Sequence, residues 1–253
     1  MRLYGKFIIS GKIEALTGLS IGGSKTDVEI GGIDNNVIKD SAGVPFIPGS
    51  SLKGKMRSLL EKSLGKTEVC KCAKKDCVVC NLFGTGASSI KDTESLPTRL
   101  YVRDAKLNED TRQKMELKEG PFSDLELTYT EIKWENNIDR LTSKAQHPRQ
   151  TERVPAGSFF DFSMIFNLLD SKDTECFKHF IKSLRLLEDD YIGGNGSRGY
   201  GRIRFSELTI TLKTIKDYEE GGAGKQIYNG GLGDFDLQKA IDVIKETISE
   251  VEK

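Results

Sequence analysis

Histidine is nearly absent from this chain: only His147 and His179 occur in 253 residues, far apart in sequence. That scarcity counts against a histidine-pair acid–base mechanism, which needs two imidazoles at one reacting bond. An excess of either charge is missing too. Lys and Arg number 38, as do Asp and Glu, so the molecule as a whole is no polycation, and any contact with nucleic acid must come from local patches or repeated subunits. No apolar run approaches the length of a membrane span, and lysines interrupt the apolar N-terminus MRLYGKFIISGKIEAL, which has no small-residue cleavage site. A cytoplasmic protein with no membrane partner is expected, in which clustered cysteines point to metal rather than to disulfides. The G-x-G-x-x-G at residues 194–199 lacks the preceding strand and following helix of a dinucleotide site, and no Lys-Ser or Lys-Thr closes it as a P-loop.

What is present is enough chain for one large domain with insertions and a substantial core. Residues 3–16 alternate, with Phe7, Ile9, Ile13 and Ala15 on one side, and predict a strand. A helix is expected over 50–64, N-capped by Ser50 or Ser51, with Leu52, Met56, Leu59, Leu60 and Ser63 inward. Strands are expected over 98–106, 125–134 and 158–168, then a helix over 174–188 burying Cys176, Phe177, Phe180, Ile181, Leu184 and Leu187, with His179 on the surface. A strand through Ile203, Phe205, Leu208, Ile210 and Leu212 follows. GGAGKQIYNGGLGD predicts a flexible linker, and the last residues an amphipathic helix with Leu237, Ile241, Ile244, Ile248 and Val251 inward.

The chemistry concentrates in residues 29–62. Asp34 follows Gly31 and Gly32 and precedes Asn35 and Asn36, a composition that places a carboxylate on an exposed loop; the choice there is between a catalytic group and a turn former. The basic helix start carries Lys53, Lys55 and Arg57. Unpaired N–H groups and cationic side chains make a phosphate cradle there, and the alternative is a solvated surface helix.

Cys70, Cys72, Cys77 and Cys80 form C-x-C-x4-C-x2-C, four thiolates in eleven residues, which suits a closed tetrahedral structural zinc site; the alternative is reactive or incidental cysteine. Cys176 is expected in the core. Between two predicted strands lies ENNIDRLTSKAQHPRQTERVPAG, too long for a tight hairpin, with Trp134 at its base and Arg140, Lys144, His147, Arg149 and Arg153 along it. It is either a solvated loop balanced by Glu135, Asp139 and Glu152 or an arm that touches nucleic acid. Arg198 and Arg202 interrupt the glycines of 193–202, which either feed the next strand or let an RNA backbone approach.

Strand, helix, strand, strand, helix, strand is the βαββαβ order of an α+β, ferredoxin-like (RRM-like) fold, with insertions for the knuckle (about 66–97) and the arm (about 125–160) inside a core of 1–213, and a linker and helix over 214–253. The GGID loop, PGSSLKGKMR, the knuckle ending in NLFG, the arm and GGNGSRGYGR together resemble the repeat-associated RAMP superfamily, in particular the backbone subunit of type III-A, or Csm, CRISPR effector complexes. The resemblance covers the chain to about residue 213. It implies copies stacked as a filament on guide RNA, arms acting as thumbs that interrupt the guide–target duplex, other Csm subunits as partners, and Asp34 with Mg²⁺ or another divalent cation cutting target RNA. Lys53, Lys55, Arg57, Arg149 and Arg198 would contact RNA. Relatives often carry histidine where this chain has Ser20. A non-catalytic backbone subunit and a stand-alone guide-processing endonuclease of the same superfamily are the competing readings.

Overall fold

The computed structural model describes residues 2–23, 35–74, 76–85, 97–170 and 172–252. The predicted loop residues Gly31, Gly32 and Asp34 therefore lie outside the described residues. The first strand, β1 (Gly5–Ala15), alternates as its sequence dictates, and Phe7, Ile9, Ile13 and Ala15 are buried. The two-residue strand β2 (Phe46–Ile47) leads into α1 (Gly49–Ser63), which buries Leu52, Met56, Leu59 and Leu60. Ser63, expected inward, is exposed and donates its hydroxyl to the carbonyl of Leu60.

Helix α1 is not capped by either expected serine. Pro48 occupies the cap position, and the carboxylate of Asp104 accepts from Gly49 N at 2.8 Å, placing a negative charge at the positive end of the helix. A side chain at Gly49 would put Cβ 2.4 Å from Val102 O, so only glycine permits this approach. The same arrangement breaks the strand expected over 98–106. It splits into β3 (Leu100–Val102) and β4 (Ala105–Leu107), because the chain turns at Arg103–Asp104 to reach the helix start. Before them comes the short helix α2 (Val78–Phe83), which buries Asn81, Leu82 and Phe83 at the end of the knuckle.

After α3 (Glu109–Glu116), buried Phe122 and Leu125 draw the chain inward. The strand expected over 125–134 begins only at Glu131. It is β5 (Glu131–Ile138), and it pairs with β6 (Ala145–Arg153) in a separate two-stranded sheet. The expected long loop is thus the returning half of a hairpin. Its turn is closed by Asp139, whose carboxylate accepts from Leu141 N and Thr142 N at 2.9 and 2.8 Å.

The main sheet continues with β7 (Phe159–Leu168), and α4 (Asp173–Glu188) follows. All six residues predicted inward on α4 are buried, and burial pushes the Cys176 thiol up to about 12. His179 is half-buried rather than on the surface, and desolvation lowers its pKa. Strand β8 (Ile203–Thr214) is followed by α5 (Ile215–Glu220), started by a reciprocal box between Thr214 and Asp217. The expected flexible linker instead supplies an edge strand, β9 (Lys225–Gly230), whose Tyr228 pairs with Ile210 of β8. Flanking glycines hid this strand in the sequence. Helix α6 (Leu237–Glu252) buries Ile241, Ile244 and Ile248 and packs on α4.

The sheet runs β2-β4-β7-β1-β8-β9, with β3 also on β7, and every pairing is antiparallel. Register aligns Phe7 with Phe166 and Leu212, and Ile9 with Met164 and Ile210, so three strands present one apolar face. Helix α4 covers it: the Phe177 ring centroid lies 4.9 Å from that of Phe7 and 5.3 Å from that of Phe166. Each such buried ring contributes on the order of 1.5–3 kcal/mol from area removed from water.

Candidate nucleic-acid cleft

Three segments distant in sequence converge beside the residue that follows Asp34. Asn35 forms a parallel bridge with Thr151 of β6, and its carbonyl accepts from Glu152 N at 2.9 Å. Val37 bridges Gly22, and Leu19 bridges Val154, so the 19–23 segment runs alongside. The glycine-rich loop closes the third side. Gly194 N donates to Ser20 O at 2.8 Å, and Gly193, at φ +84°, sits where a Cβ would lie 2.3 Å from that same oxygen. The result is a cleft of about 310 Å³ whose walls include Ser20, Asn35, Asn36, Arg149, Thr151 and Asn195. Among the described residues its lining carries hydroxyls, amides and the Arg149 guanidinium alongside glycine backbone. Groups of this kind hydrogen-bond phosphate and ribose oxygens without creating a strong field.

The hairpin is fixed to the cleft by its own charged residues. Tyr200, buried at the end of the glycine-rich loop, donates to the Glu135 carboxylate at 2.8 Å, and Arg149 donates to its other oxygen at 3.1 Å. Burial, followed by the Glu135 carboxylate, raises the Tyr200 phenol to about 12. Burial pushes Glu135 upward, but hydrogen bonds from Tyr200 and Arg149 outweigh it and hold the carboxyl below its usual range. Arg153 pairs with Glu131 at 2.6 Å. Deeper lies Glu152, 1% exposed, which accepts from Val37 N at 2.9 Å and Thr130 Oγ1 at 2.6 Å and pairs with Lys39.

The expected phosphate cradle on α1 is built differently. Arg57 donates to the carbonyls of Cys70 (2.6 Å) and Gly84 (3.1 Å) and to the Glu61 carboxylate (3.0 Å). Lys53 donates to Leu100 O at 2.9 Å and Thr98 Oγ1 at 3.2 Å, and burial, then the Arg57 charge, lowers its pKa. Lys55 pairs with Asp190 at 3.2 Å and stands 3.6 Å from the centroid of the Tyr191 ring. The helix start is already occupied by Asp104. These cations fasten neighbouring segments because α1 has protein on that side, which its helical spacing alone could not reveal. Of the five predicted basic residues, Arg149 lines the cleft, and Arg198 is exposed beside it, its Nη1 3.4 Å from Asn195 Oδ1. The residues missed in the sequence are Thr151, Glu152 and Tyr200; only the balancing charge of Glu152 was visible there.

The cysteine cluster is a separate centre. The Sγ atoms of Cys70, Cys72, Cys77 and Cys80 all lie within 4.8 Å of one another, and Cys70 Sγ is 3.5, 3.6 and 3.8 Å from those of Cys77, Cys72 and Cys80. Zinc–sulfur bonds of about 2.3 Å at tetrahedral angles would separate the sulfurs by about 3.8 Å. The donor set and spacing therefore fit zinc. Cys70 N donates to Glu61, so α1 grips the knuckle at two points.

These features define a mixed α/β protein with an asparagine-lined cleft and a four-thiolate centre. Residues 12–204 match the model of the RAMP superfamily, and the chain belongs to that family. It is 41% identical over 265 residues to the CRISPR system Cms endoribonuclease Csm3 of Methanothermobacter thermautotrophicus, covering 97% of this chain and 100% of that one. The protein of the same name from Methanocaldococcus jannaschii is 44% identical, with 87% of this chain and 86% of that one covered. Among solved structures, the chain resembles one in the Csm3–Csm4 subcomplex of the type III-A CRISPR-Cas interference complex, at TM-score 0.61 and 31% identity over 97% of this chain and 98% of that one. Methanopyrus kandleri Csm3, 21% identical at TM-score 0.62 over 98% of each chain, shares the fold. No helix among the described residues is long and apolar enough to cross a membrane.

Proposed function

We propose that this chain is a repeated backbone subunit of a cytoplasmic type III-A CRISPR ribonucleoprotein that binds guide RNA and cuts complementary target RNA at the cleft beside Asn35. The observation that carries this reading is the cleft lined by Asn35, the residue next to Asp34 in sequence, in a chain similar over nearly its whole length to proteins named as endoribonucleases. Partners are other copies of the chain, other Csm subunits, and both RNAs. The strand order β4-β7-β1-β8, with α1 following β1 and α4 joining β7 to β8 across β1, supports a ferredoxin-like core over 1–213, and the β5–β6 hairpin is read as its thumb.

RNA carries its own nucleophile, the 2′-hydroxyl, so a site that orients the backbone for in-line attack and neutralises phosphate charge needs few catalytic groups. Asp34 would hold a divalent cation such as Mg²⁺, which supplies charge neutralisation at the scissile phosphate. Arg149 and Arg198 would contact the RNA backbone from the two sides of the cleft. The amide groups of Asn35, Asn36 and Asn195 offer donors and acceptors to ribose and phosphate. Lys53, Lys55 and Arg57 support the surrounding segments rather than gripping phosphates directly. Structural zinc in the four-cysteine centre keeps the knuckle folded and takes no part in the chemistry.

The experiment is Asp34→Ala in an assembled complex. Target RNA should be bound as before and no longer cut. Cleavage at the wild-type rate would remove the nuclease reading and leave a non-catalytic RNA-binding backbone subunit.

A further inference from the structure

Glu152 has a position that balancing the charge of a hairpin does not require. It sits at the foot of β6, 1% exposed, and joins three pieces of chain. Its Oε2 accepts from the backbone N–H of Val37 at 2.9 Å, and its Oε1 accepts from the Thr130 hydroxyl at 2.6 Å and pairs with Lys39. Its own backbone N–H donates to Asn35 O at 2.9 Å. Val37 and Lys39 belong to the segment that leaves Asp34, while Thr130 immediately precedes β5. One carboxylate thus ties the entry of the hairpin, its returning strand and the segment beside the cleft.

Even paired with the partly exposed Lys39, a buried carboxylate is a costly way to hold one amide and one hydroxyl, which neutral partners could serve equally well. What an ionised group with two oxygens adds is fixed geometry: each oxygen has its own donors, and no other arrangement serves them all. We propose that Glu152 is a positioning residue for target cleavage, setting the 35–39 segment, and through it the Asp34 carboxylate, according to the seating of the hairpin. This inference rests on the reading of Asp34 given above. It adds that the hairpin and the cutting site are mechanically one unit, so that a hairpin displaced from its seat leaves the neighbouring site misaligned.

The test uses assembled complexes with Glu152→Gln. Glutamine keeps an acceptor for Thr130 and Lys39 but turns an amide N–H₂ toward Val37 N–H, so the side-chain bond that fixes Val37 is lost with little change in volume. A misplacement of about 1 Å at a reacting centre costs on the order of a hundredfold in rate. The single-turnover cleavage rate at saturating target should therefore fall by about 10- to 100-fold. Target-RNA affinity should stay within about twofold, the divalent-cation concentration giving half-maximal rate should rise, and the melting temperature of the assembled particle should change little. Thr130→Val and Lys39→Ala, each removing one donor, should give smaller decreases of the same kind, and they decide the matter if Glu152→Gln does not assemble.

Wild-type cleavage in Glu152→Gln overturns the proposal. A drop in rate that merely follows lost RNA affinity or lost folded protein, with unchanged cation dependence, does so equally. Asp34→Ala run alongside separates the two claims. If Asp34→Ala cuts normally, the underlying reading has failed; if it is inactive while Glu152→Gln cuts normally, only the positioning role has.

Discussion

Two insertions leave the main sheet, and they are fastened in opposite ways. The cysteine knuckle is drawn in: Cys70 and Cys80 are buried, α2 lies against α1 and α4, and Arg57 and Glu61 hold its backbone from outside. Among the described residues, the β5–β6 hairpin is held at its foot, by Glu152 on Val37 and Asn35 and by Tyr200 on Glu135, and it presents Trp134, Ile138 and Leu141 to solvent, at 65, 66 and 97% exposure. Neither insertion could bury enough apolar surface to stand alone. A knuckle closed on itself by four sulfurs serves the fold; a hairpin that spends its apolar residues on solvent is shaped for contact with something outside the chain.

Changes to the knuckle should therefore act on stability, and changes to the hairpin tip should not. The largest effect is expected for Cys80→Ser, which leaves three thiolates for the metal. Loss of a structural metal belongs to the class of changes above about 4 kcal/mol. Metal analysis should fall from one zinc per chain to none, and thermal unfolding should move down steeply; an unchanged melting temperature would place the knuckle with the dispensable insertions. Arg57→Ala comes next, because it unties two carbonyls and a carboxylate at a part-buried site. It should lower denaturant-measured stability by about 2–3 kcal/mol while zinc is retained. Tyr200→Phe removes the bond between the glycine-rich loop and Glu135, worth about 1–2 kcal/mol. Hydrogen exchange at the foot of β5 and β6 should quicken, with the main-sheet amides unaffected. The smallest change is expected for Leu141→Ser at the tip, within about 0.5 kcal/mol of the parent in denaturant unfolding. A larger loss there would mean that the tip packs on the body, and the contrast between the insertions would dissolve.

The main sheet was readable in the sequence wherever apolar side chains alternate over many residues. Phe7 to Ala15, Phe160 to Leu168 and Ile203 to Leu212 each bury the face their spacing assigns, and α4 buries all six residues of its stripe. Short or contact-dependent elements were not readable. The break between β3 and β4 comes from Asp104 capping a helix that begins 55 residues earlier. Strand β9 is framed by glycines and owes its existence to pairing with β8. In the cleft, Arg149 and the glycine-rich loop were legible as composition, whereas Glu152 counted only as one negative charge among several. Lys53 and Arg57 illustrate the same limit. Their spacing correctly puts them on one stripe of α1, but the carbonyls of Leu100, Cys70 and Gly84 that occupy that side come from other parts of the chain.

The interrupted strand has a bearing on how the chain meets its neighbours. Because Asp104 divides the stretch from Leu100 to Leu107, that border of the sheet ends in fragments of three, three and two residues, Leu100–Val102, Ala105–Leu107 and Phe46–Ile47. A border so ragged offers a stranger no continuous ladder to zip onto. Chains that meet at this border cannot fuse through their backbones, which leaves side chains to decide who touches whom.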